Sequence, residues 1–556
     1  MRTDRNVTRI TPALLRRVVW PHLIPLVLLV VAVAGLFLTS PYNQDFWNSD
    51  APRHAMDGAF YLDFFRDLPL NRLREYATDY YLQYPSLTIL FYPPALPIVE
   101  AAFFGILGVS VFAAQLTIAF FYLLAAWGAY ALCRRWLNTW AAFSVSLLFI
   151  AFPEVALWGR QVMLEIPACA LLIWSSYALF RYFDRWQPGF LYLAVTLLAA
   201  GAYTKQTVLF IVPAFVLMLF AQRRRKLYLD VRVWAALTLM AIELVPLAIL
   251  TWEAGRFNLK SVAGGQYTQG APSVFSWHSW TFYAHEFPAE IGWAPLLLAC
   301  VYVAAKLWRK EWRKPANMFM MAWLGFGYIF FSLIALKEPR HAVLILFPLA
   351  FFAVGGLSRL LPAKGAHWVA VGLATINLAC TLVWRPVPYV SGYRRVVNYL
   401  AADAPHDSVI LFSGSRDGAF VFDLRARRDR PDLSVLRADK LLEDVTVARE
   451  YGIAEKDFSE PEIAGMLGRY AVSYVVSQPN FWSDLQEMQR LQHVLHSSQF
   501  KLLARFPITG NVYHVDQEIE VYRNLGPVNP KREQIRLNLP IVGVTIQGDI
   551  GGRSRR

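Results

Sequence analysis

The segment Ser49-Asp-Ala-Pro-Arg-His-Ala-Met-Asp-Gly58 gathers groups that can move a proton or neutralise a charge. Ser49 suits a helix cap and Pro52 is tolerated in a first turn, so the segment predicts a helix. Asp50, Arg53, His54 and Asp57 then fall at i, i+3, i+4 and i+7 on one face. On spacing alone that face is an amphipathic surface with an ion pair, Asp57 being a partner that Arg53 can hold at the surface. A second acid, Glu165, opens an otherwise apolar stretch in Gly159-Arg-Gln-Val-Met-Leu-Glu-Ile-Pro167. Two carboxylates at one interface are what acid–base or electrostatic catalysis needs, although an acid at the end of an apolar stretch also suits a headgroup region. Lys205, in Tyr203-Thr-Lys-Gln206, and Arg340 with His341, after Lys337-Glu-Pro, supply cations. Their use would be to neutralise a lipid phosphate, against the competing reading of snorkelling anchors. His285, Glu286 and Glu290 could share a short helix but lack the H-E-x-x-H spacing of a zinc site, and Glu243 sits alone inside an apolar stretch.

The elements that must position these groups follow from composition. Of 556 residues, 56% are hydrophobic and only 17% charged. Soluble domains carry about 25% charged residues, so a large soluble enzyme and a disordered chain are both excluded. Four cysteines, all in or beside apolar stretches, exclude a disulfide scaffold. The net charge of +14 reads as basic residues kept in cytoplasmic loops rather than as a nucleic-acid surface. The fold class predicted is a polytopic α-helical membrane protein with a C-terminal extracytoplasmic α/β domain.

Eleven apolar stretches approach the roughly 20 residues that cross a bilayer: 18–39, 111–133, 139–157, 165–182, 189–204, 207–221, 232–252, 292–308, 317–336, 341–360 and 366–385. Val18 to Thr39 has no cleavage signature after it and reads as a retained span. One set of span ends carries 21 basic residues against four acids, which makes it cytoplasmic. The opposite set begins with the 40–110 loop and continues at 253–291. Within the first of these, residues 40–92 hold seven acids against four arginines. Asp50, Glu165, Lys205 and Arg340 all fall on this outer side. Residues 93–109, with prolines at 93, 94 and 97 and Glu100, read as a helix in the outer interface. The N-terminus is then cytoplasmic and the chain is integral to the cell membrane.

Residues 1–385 thus form a multispan domain, 386–525 an extracytoplasmic α/β domain and 526–556 a basic tail that reads as mobile, with one strand at 535–546. Strands are expected at 408–412, 472–477, 500–506 and 517–523, with helices at 392–402, 459–469 and 481–496. Gly414-Ser-Arg-Asp-Gly418 is not the G-x-G-x-x-G of dinucleotide sites.

In this order, the motifs resemble the GT-C glycosyltransferases, in particular bacterial lipid A aminoarabinose transferases and protein O-mannosyltransferases. The D-E-x-R-Y-A motif of that family corresponds to Asp50-Ala-Pro-Arg-His-Ala55, with Ala51 for the second acid and His54 for tyrosine. Its proline-rich segment corresponds to Tyr92-Pro-Pro-Ala95, where the aminoarabinose enzymes have lysine in place of Tyr92. Its span-opening acid is Glu165, its T-K-G is Thr204-Lys-Gln206, and its Arg-Tyr is Arg340-His341. The resemblance covers about residues 1–385. It implies a sugar donor on a polyprenyl phosphate and a lipid, glycan or protein acceptor with an attacking hydroxyl, usually with inversion. Asp50 is then the candidate base and Glu165 the group that holds acceptor or anomeric charge. Lys205, Arg340 and Arg53 are candidates for the phosphate, with His54, Tyr92 and His341 beside the substrate. A divalent metal is left open. The rival reading is a transporter or flippase of a lipid-linked substrate, which predicts paired halves that this chain lacks.

Overall fold

The computed structural model describes residues 20–221, 230–255, 273–445, 449, 452–529, 531–539 and 543–551. The basic residues at 2–17 and 223–226 lie outside them. The membrane part is helical throughout: α1 Trp20–Leu38, α2 Ala51–Asp67, α3 Leu73–Gln83, α4 Ala95–Leu107, α5 Val111–Cys133, α6 Thr139–Ala151, α7 Pro153–Trp158, α8 Glu165–Arg185, α9 Pro188–Ala202, α10 Val212–Ala221, α11 Val231–Glu253, α12 Trp277–Ile291, α13 Trp293–Trp308, α14 Pro315–Ser332, α15 Phe347–Leu360 and α16 Ala363–Trp384.

A helix occupies every stretch read as a span, but they are not all long. Among the described residues, four helices are long and apolar enough to cross a membrane, or five if one bent pair counts as a single span. The shortening has local causes. Pro153 splits the 139–157 stretch into α6 and α7. Lys205 lies in the break between α9 and a 3₁₀ turn, Gln206–Ile211, that leads into α10. Another 3₁₀ turn, Pro339–Ile345, meets α15 at 60°. These breaks position Lys205 and Arg340, while Glu165 opens α8.

Asp50, rather than Ser49, immediately precedes α2, and its side chain caps nothing; Pro52 sits in the first turn as expected. The 93–109 stretch forms α4, which lies along α2 with Leu96, Ala101 and Phe104 buried. The approach is close: a Cβ on Gly58 would lie 2.7 Å from Glu100 Cβ and 3.0 Å from Phe104.

Beyond α16 the chain forms β1 Val390–Ser391, α17 Tyr393–Asp403, β2 Val409–Ser413, α18 Asp417–Ala426, β3 Ser434–Arg437, α19 Ala438–Leu441, β4 Glu443–Val445, β5 Ile453–Glu455, α20 Glu460–Arg469, β6 Val472–Ser477, α21 Gln486–Leu495, β7 Phe500–Pro507, β8 Thr509–Gly510 and β9 Glu518–Asn524. Five strands make one sheet, ordered β3-β2-β6-β9-β7. β3, β2 and β6 run parallel, and β9 and β7 are antiparallel additions. Strand β2 is buried at all five positions, as a central strand with both faces covered must be. The expected strands and helices are there; β3 and α18 had no sequence signal strong enough to select them. The tail departs from expectation. Its single strand is a hairpin, β10 Ile535–Leu539 with β11 Val544–Gly548, whose Ile535 and Leu537 are buried.

The C-terminal part is fixed to the membrane part at several points. Asp45 accepts the backbone N–H groups of Gly392 and Tyr393 at 2.8 and 2.9 Å. Gln83 of α3 donates to Pro431 O at 2.7 Å, and Arg425 pairs with Asp63 of α2. Strand β11 packs on α3, where a Cβ on Gly548 would lie 2.8 Å from Leu82.

Helices α13 and α15 cross so closely that a Cβ on Gly356 would collide with the Leu298 carbonyl group. Backbone cannot yield as a flexible side chain can. Gly356→Ala should therefore cost about 1–3 kcal/mol through overpacking. Gly372→Ala, with open space around it, should be neutral or slightly stabilising. Thermal unfolding of the purified variants in detergent checks the pair.

Candidate active site

Residues far apart in sequence meet where α2, α8, the α9 break and the Pro339–Ile345 turn come together. Arg340 Nη1 lies 3.1 Å from Asp50 Oδ2, and its Nε lies 3.9 Å from Glu165 Oε1. Lys205 Nζ donates to that same Glu165 oxygen at 2.6 Å. Glu338 also pairs with Arg340, whose guanidinium stands over the Trp158 ring, 5.9 Å from its centre. The cluster is largely dry but open at one point. Side-chain exposure is 1% for Glu165, 15% for Lys205, 19% for Arg340 and 24% for Asp50. Of the sequence-predicted residues, Asp50, Glu165, Lys205 and Arg340 are thus joined in one chain of charge.

His54 is buried at the edge of this chain, with its ring 4.4 Å from that of Tyr92 and tilted 62° to it. Burial pushes the imidazole down to about 4, so it is neutral at pH 7. Burial also raises the Tyr92 hydroxyl well above its ordinary value, with Asp50 adding to the effect. Asp50 itself goes the other way. Burial would raise its carboxyl, but Arg340, His54 and Arg53 outweigh that and hold it below the ordinary carboxylate value. Asp50 is therefore ionised at neutral pH, the state a base requires. His341 stacks on Phe331, ring centres 6.1 Å apart, and its Nδ1 has no hydrogen-bond partner among the described residues.

Two expectations for α2 fail. Arg53 does not pair with Asp57. It turns to the C-terminal part, where its Nη2 lies 3.3 Å from Asp417. Asp57 is not a surface group: it is fully buried and accepts the Thr88 N–H at 2.6 Å and the Thr88 hydroxyl at 2.8 Å. Helical spacing alone cannot say that α4 covers this side of α2. Sequence reasoning also missed Glu338, Trp158 and Asp417. Glu338 sits two residues from Arg340 and could have been found; Trp158 and Asp417 carry no signal until the chain is folded.

Asp50, Arg53 and Tyr92 line a cavity of about 350 Å³ between α2 and the C-terminal part. Its far wall carries Asp417, Arg437 and the stacked rings of Phe481 and Trp482. As for a metal, both Asp50 and Glu165 already face cations, and no group of three or more His, Cys, Asp or Glu among the described residues is placed to hold an ion. The donor set does not fit one. Glu290 of α12 is buried, whereas His285, one and a half turns before it, is exposed, so among the described residues these two do not form a ligand pair.

Residues 92–252 match the family model of dolichyl-phosphate-mannose-protein mannosyltransferase. The structure is similar to that of ArnT from Cupriavidus metallidurans in its apo state, with a TM-score of 0.60 at 15% identity, over 91% of this chain and 99% of that one. The same protein bound to undecaprenyl phosphate aligns with a TM-score of 0.60 at 14% identity, over the same shares of the two chains. The archaeal oligosaccharyltransferase AglB from Archaeoglobus fulgidus, in complex with an inhibitory peptide and a dolichol phosphate, aligns with a TM-score of 0.55 at 12% identity, over 84% of this chain and 70% of that one. A search of curated proteins finds no match. The chain has the GT-C fold, as the motif resemblance implies, and residues 92–252 carry a mannosyltransferase-family likeness.

Burial raises the Asp57 carboxyl to about 7, against an ordinary value near 4. A carboxyl raised in the folded state stabilises most when protonated, and that contribution is lost as pH rises through about 7. Wild-type thermal stability should therefore fall between pH 5 and pH 8. Asp57→Asn keeps an acceptor for the Thr88 N–H and cannot ionise, so it should flatten that fall. Unfolding midpoints of both proteins across this range test the assignment.

Proposed function

We propose that the protein transfers a sugar from a polyprenyl-phosphate donor to an acceptor hydroxyl at the outer face of the membrane. The observation that carries this reading is the Asp50–Arg340–Glu165–Lys205 chain beside an open cavity, on a GT-C fold. Similar proteins are bound to undecaprenyl phosphate and to a dolichol phosphate, which supports the donor class. No observation on this chain favours the transporter reading.

In this mechanism the acceptor hydroxyl enters from the cavity and donates its proton to Asp50. Its oxygen forms a bond to the anomeric carbon as the bond from that carbon to the phosphate oxygen breaks. The electron pair leaves with the phosphate, whose charge Arg340 and Lys205 stabilise. A single displacement of this kind inverts the anomeric carbon. Glu165 positions both cations and adds negative charge near the sugar. His54, neutral, and Tyr92 close the wall next to Asp50. Arg53 acts through Asp417, positioning α2 rather than binding phosphate. The outer location of the C-terminal domain belongs to the same proposal, since Asp45, Gln83 and Asp63 hold that domain at the end of the helices that carries the site.

Asp50→Asn should lower transfer about 10²–10⁴-fold with donor binding nearly intact. In the wild type, transfer should stay level from pH 8 down to the ordinary carboxylate range and fall only below it, because Asp50 is held low; no inflection near 6.5 is expected from His54. Transfer from a synthetic polyprenyl-phosphate sugar, with purified protein in lipid, measures both. Wild-type turnover in Asp50→Asn would refute the assignment.

Lys205→Gln and Arg340→Gln should each weaken donor binding about ten- to a hundredfold, the worth of a charge-assisted contact. Arg340→Lys should recover part of the loss. Titration with undecaprenyl phosphate gives the affinities, and unchanged values in both Gln variants would return these residues to a purely structural role.

A further inference from the structure

An arginine stands over the turn where the chain enters its second apolar stretch. Helix α5 opens at Val111 and is long and apolar enough to cross a bilayer, so the turn before it, 108–110, marks a membrane surface. Arg428, in the loop between α18 and β3, lies over that turn: a Cβ on Gly108 would sit 2.9 Å from its Nη2. Ile106, Leu107 and Phe112 on either side of the turn are exposed, as are Phe65, Leu68 and Leu70 around the end of α2. Apolar residues at this level meet lipid chains, and cations beside them meet the head groups.

Arg428 also lines a cavity of about 360 Å³ between the end of α2, α3 and the same loop. Its charged walls are Asp63, Arg66, Arg425, Arg427 and Arg428. Arg425 is taken by Asp63, and Arg427 holds Asp429 through Nε and Nη2 at 2.8 and 2.6 Å. Arg66 and Arg428 have no carboxylate or hydrogen-bond acceptor among the described residues. A guanidinium in that condition matches a phosphate through two parallel N–H···O bonds. A zwitterionic head would bring an ammonium to a cavity whose one carboxylate is already paired. The cavity is also remote from the chemistry. It shares no lining residue with the one that holds Asp50, and 16 residues of helix separate Asp50 from Arg66, about 24 Å along the axis.

We propose that Arg66 and Arg428 bind the phosphate of an anionic phospholipid of the surrounding leaflet, which is held and not consumed. Its acyl chains run past Ile106, Leu107 and Phe112, and its phosphate ties the α18–β3 loop to the end of α2. The lipid thus reinforces the junction that Arg425 and Asp63 begin.

The probe is phosphatidylglycerol with a diazirine beside the phosphate, diluted into phosphatidylcholine nanodiscs that hold the full-length protein. Labelled peptides should include 63–66, 106–112 and 425–428. An arginine near an anionic lipid is worth about fivefold in affinity. Arg66→Gln and Arg428→Gln should therefore each lower labelling of those peptides about fivefold and together about 25-fold, with Arg428→Lys recovering part of the loss. Both side chains are exposed, so the changes leave the core intact. The matching phosphatidylcholine probe should label several-fold less. Equal labelling by the two probes, or unchanged labelling in the double variant, would overturn the proposal. So would loss of label on adding millimolar inorganic phosphate, which would make this a site for a soluble anion. Incubation with a synthetic polyprenyl-phosphate sugar should leave the mass of the probe unchanged; a sugar attached to it would make the lipid an acceptor and equally overturn the proposal. Labelling needs no turnover, so the fate of Asp50→Asn bears on the transfer reaction and not on this site.

Discussion

A guanidinium taken largely out of water has to be neutralised from several sides, and Arg340 imposes that demand on this fold. Asp50, Glu165 and Glu338 answer it, and each comes from a different local structure: the entry to α2, the first residue of α8 and the loop before the 3₁₀ turn. Lys205 then balances the carboxylate that Arg340 shares. Removing one partner would leave a buried charge exposed to the low dielectric, which is far costlier than the pair is stabilising. The broken helices follow from this. A continuous span through 205 or 340 would carry these side chains around the helix axis and away from one another.

The same logic extends into the C-terminal part. Asp417, at the start of α18, accepts Arg437 at 2.7 Å as well as Arg53. Gly418, next to it, allows Pro52 to approach within 2.7 Å of where its Cβ would be. One end of α2 is thus seated on α18 by an ion pair and a van der Waals contact. Asp45, just ahead of α2, is seated on α17 by two backbone hydrogen bonds. The acid that faces Arg340 lies between those two grips, so its position is set by a domain some 370 residues further along the chain.

Much of this was legible in the sequence, for identifiable reasons. Apolar length marked the helical segments, and short apolar runs between helical patterns marked β2, β6, β7 and β9. Polar residues at the ends of apolar stretches marked Asp50, Glu165, Lys205 and Arg340, because an ionisable group there needs a use. The misreadings share one origin. Periodicity gives the faces of a helix but not what covers them, so Asp57 looked solvated although α4 and the Thr88 loop enclose it. The four-residue β3, with only Val435 and Leu436 apolar, was too short to stand out as an apolar run. The tail was read by its charge, whereas its fold comes from Ile535 and Leu537. The cavity wall opposite Asp50 was invisible because Asp417, Arg437 and Trp482 come together only when the sheet forms.

The pairing of the cations has a consequence for turnover. Lys205 and Arg340 are not vacant receptors; each is already held by carboxylates of the protein. An arriving phosphate has to compete with Glu165 and Glu338 for them, and after the reaction those same carboxylates compete to take them back. The protein therefore carries its own exchange ligand for the departing anion. Under the proposed reaction, the tighter these internal pairs, the weaker the hold on the donor and the faster the spent carrier is let go.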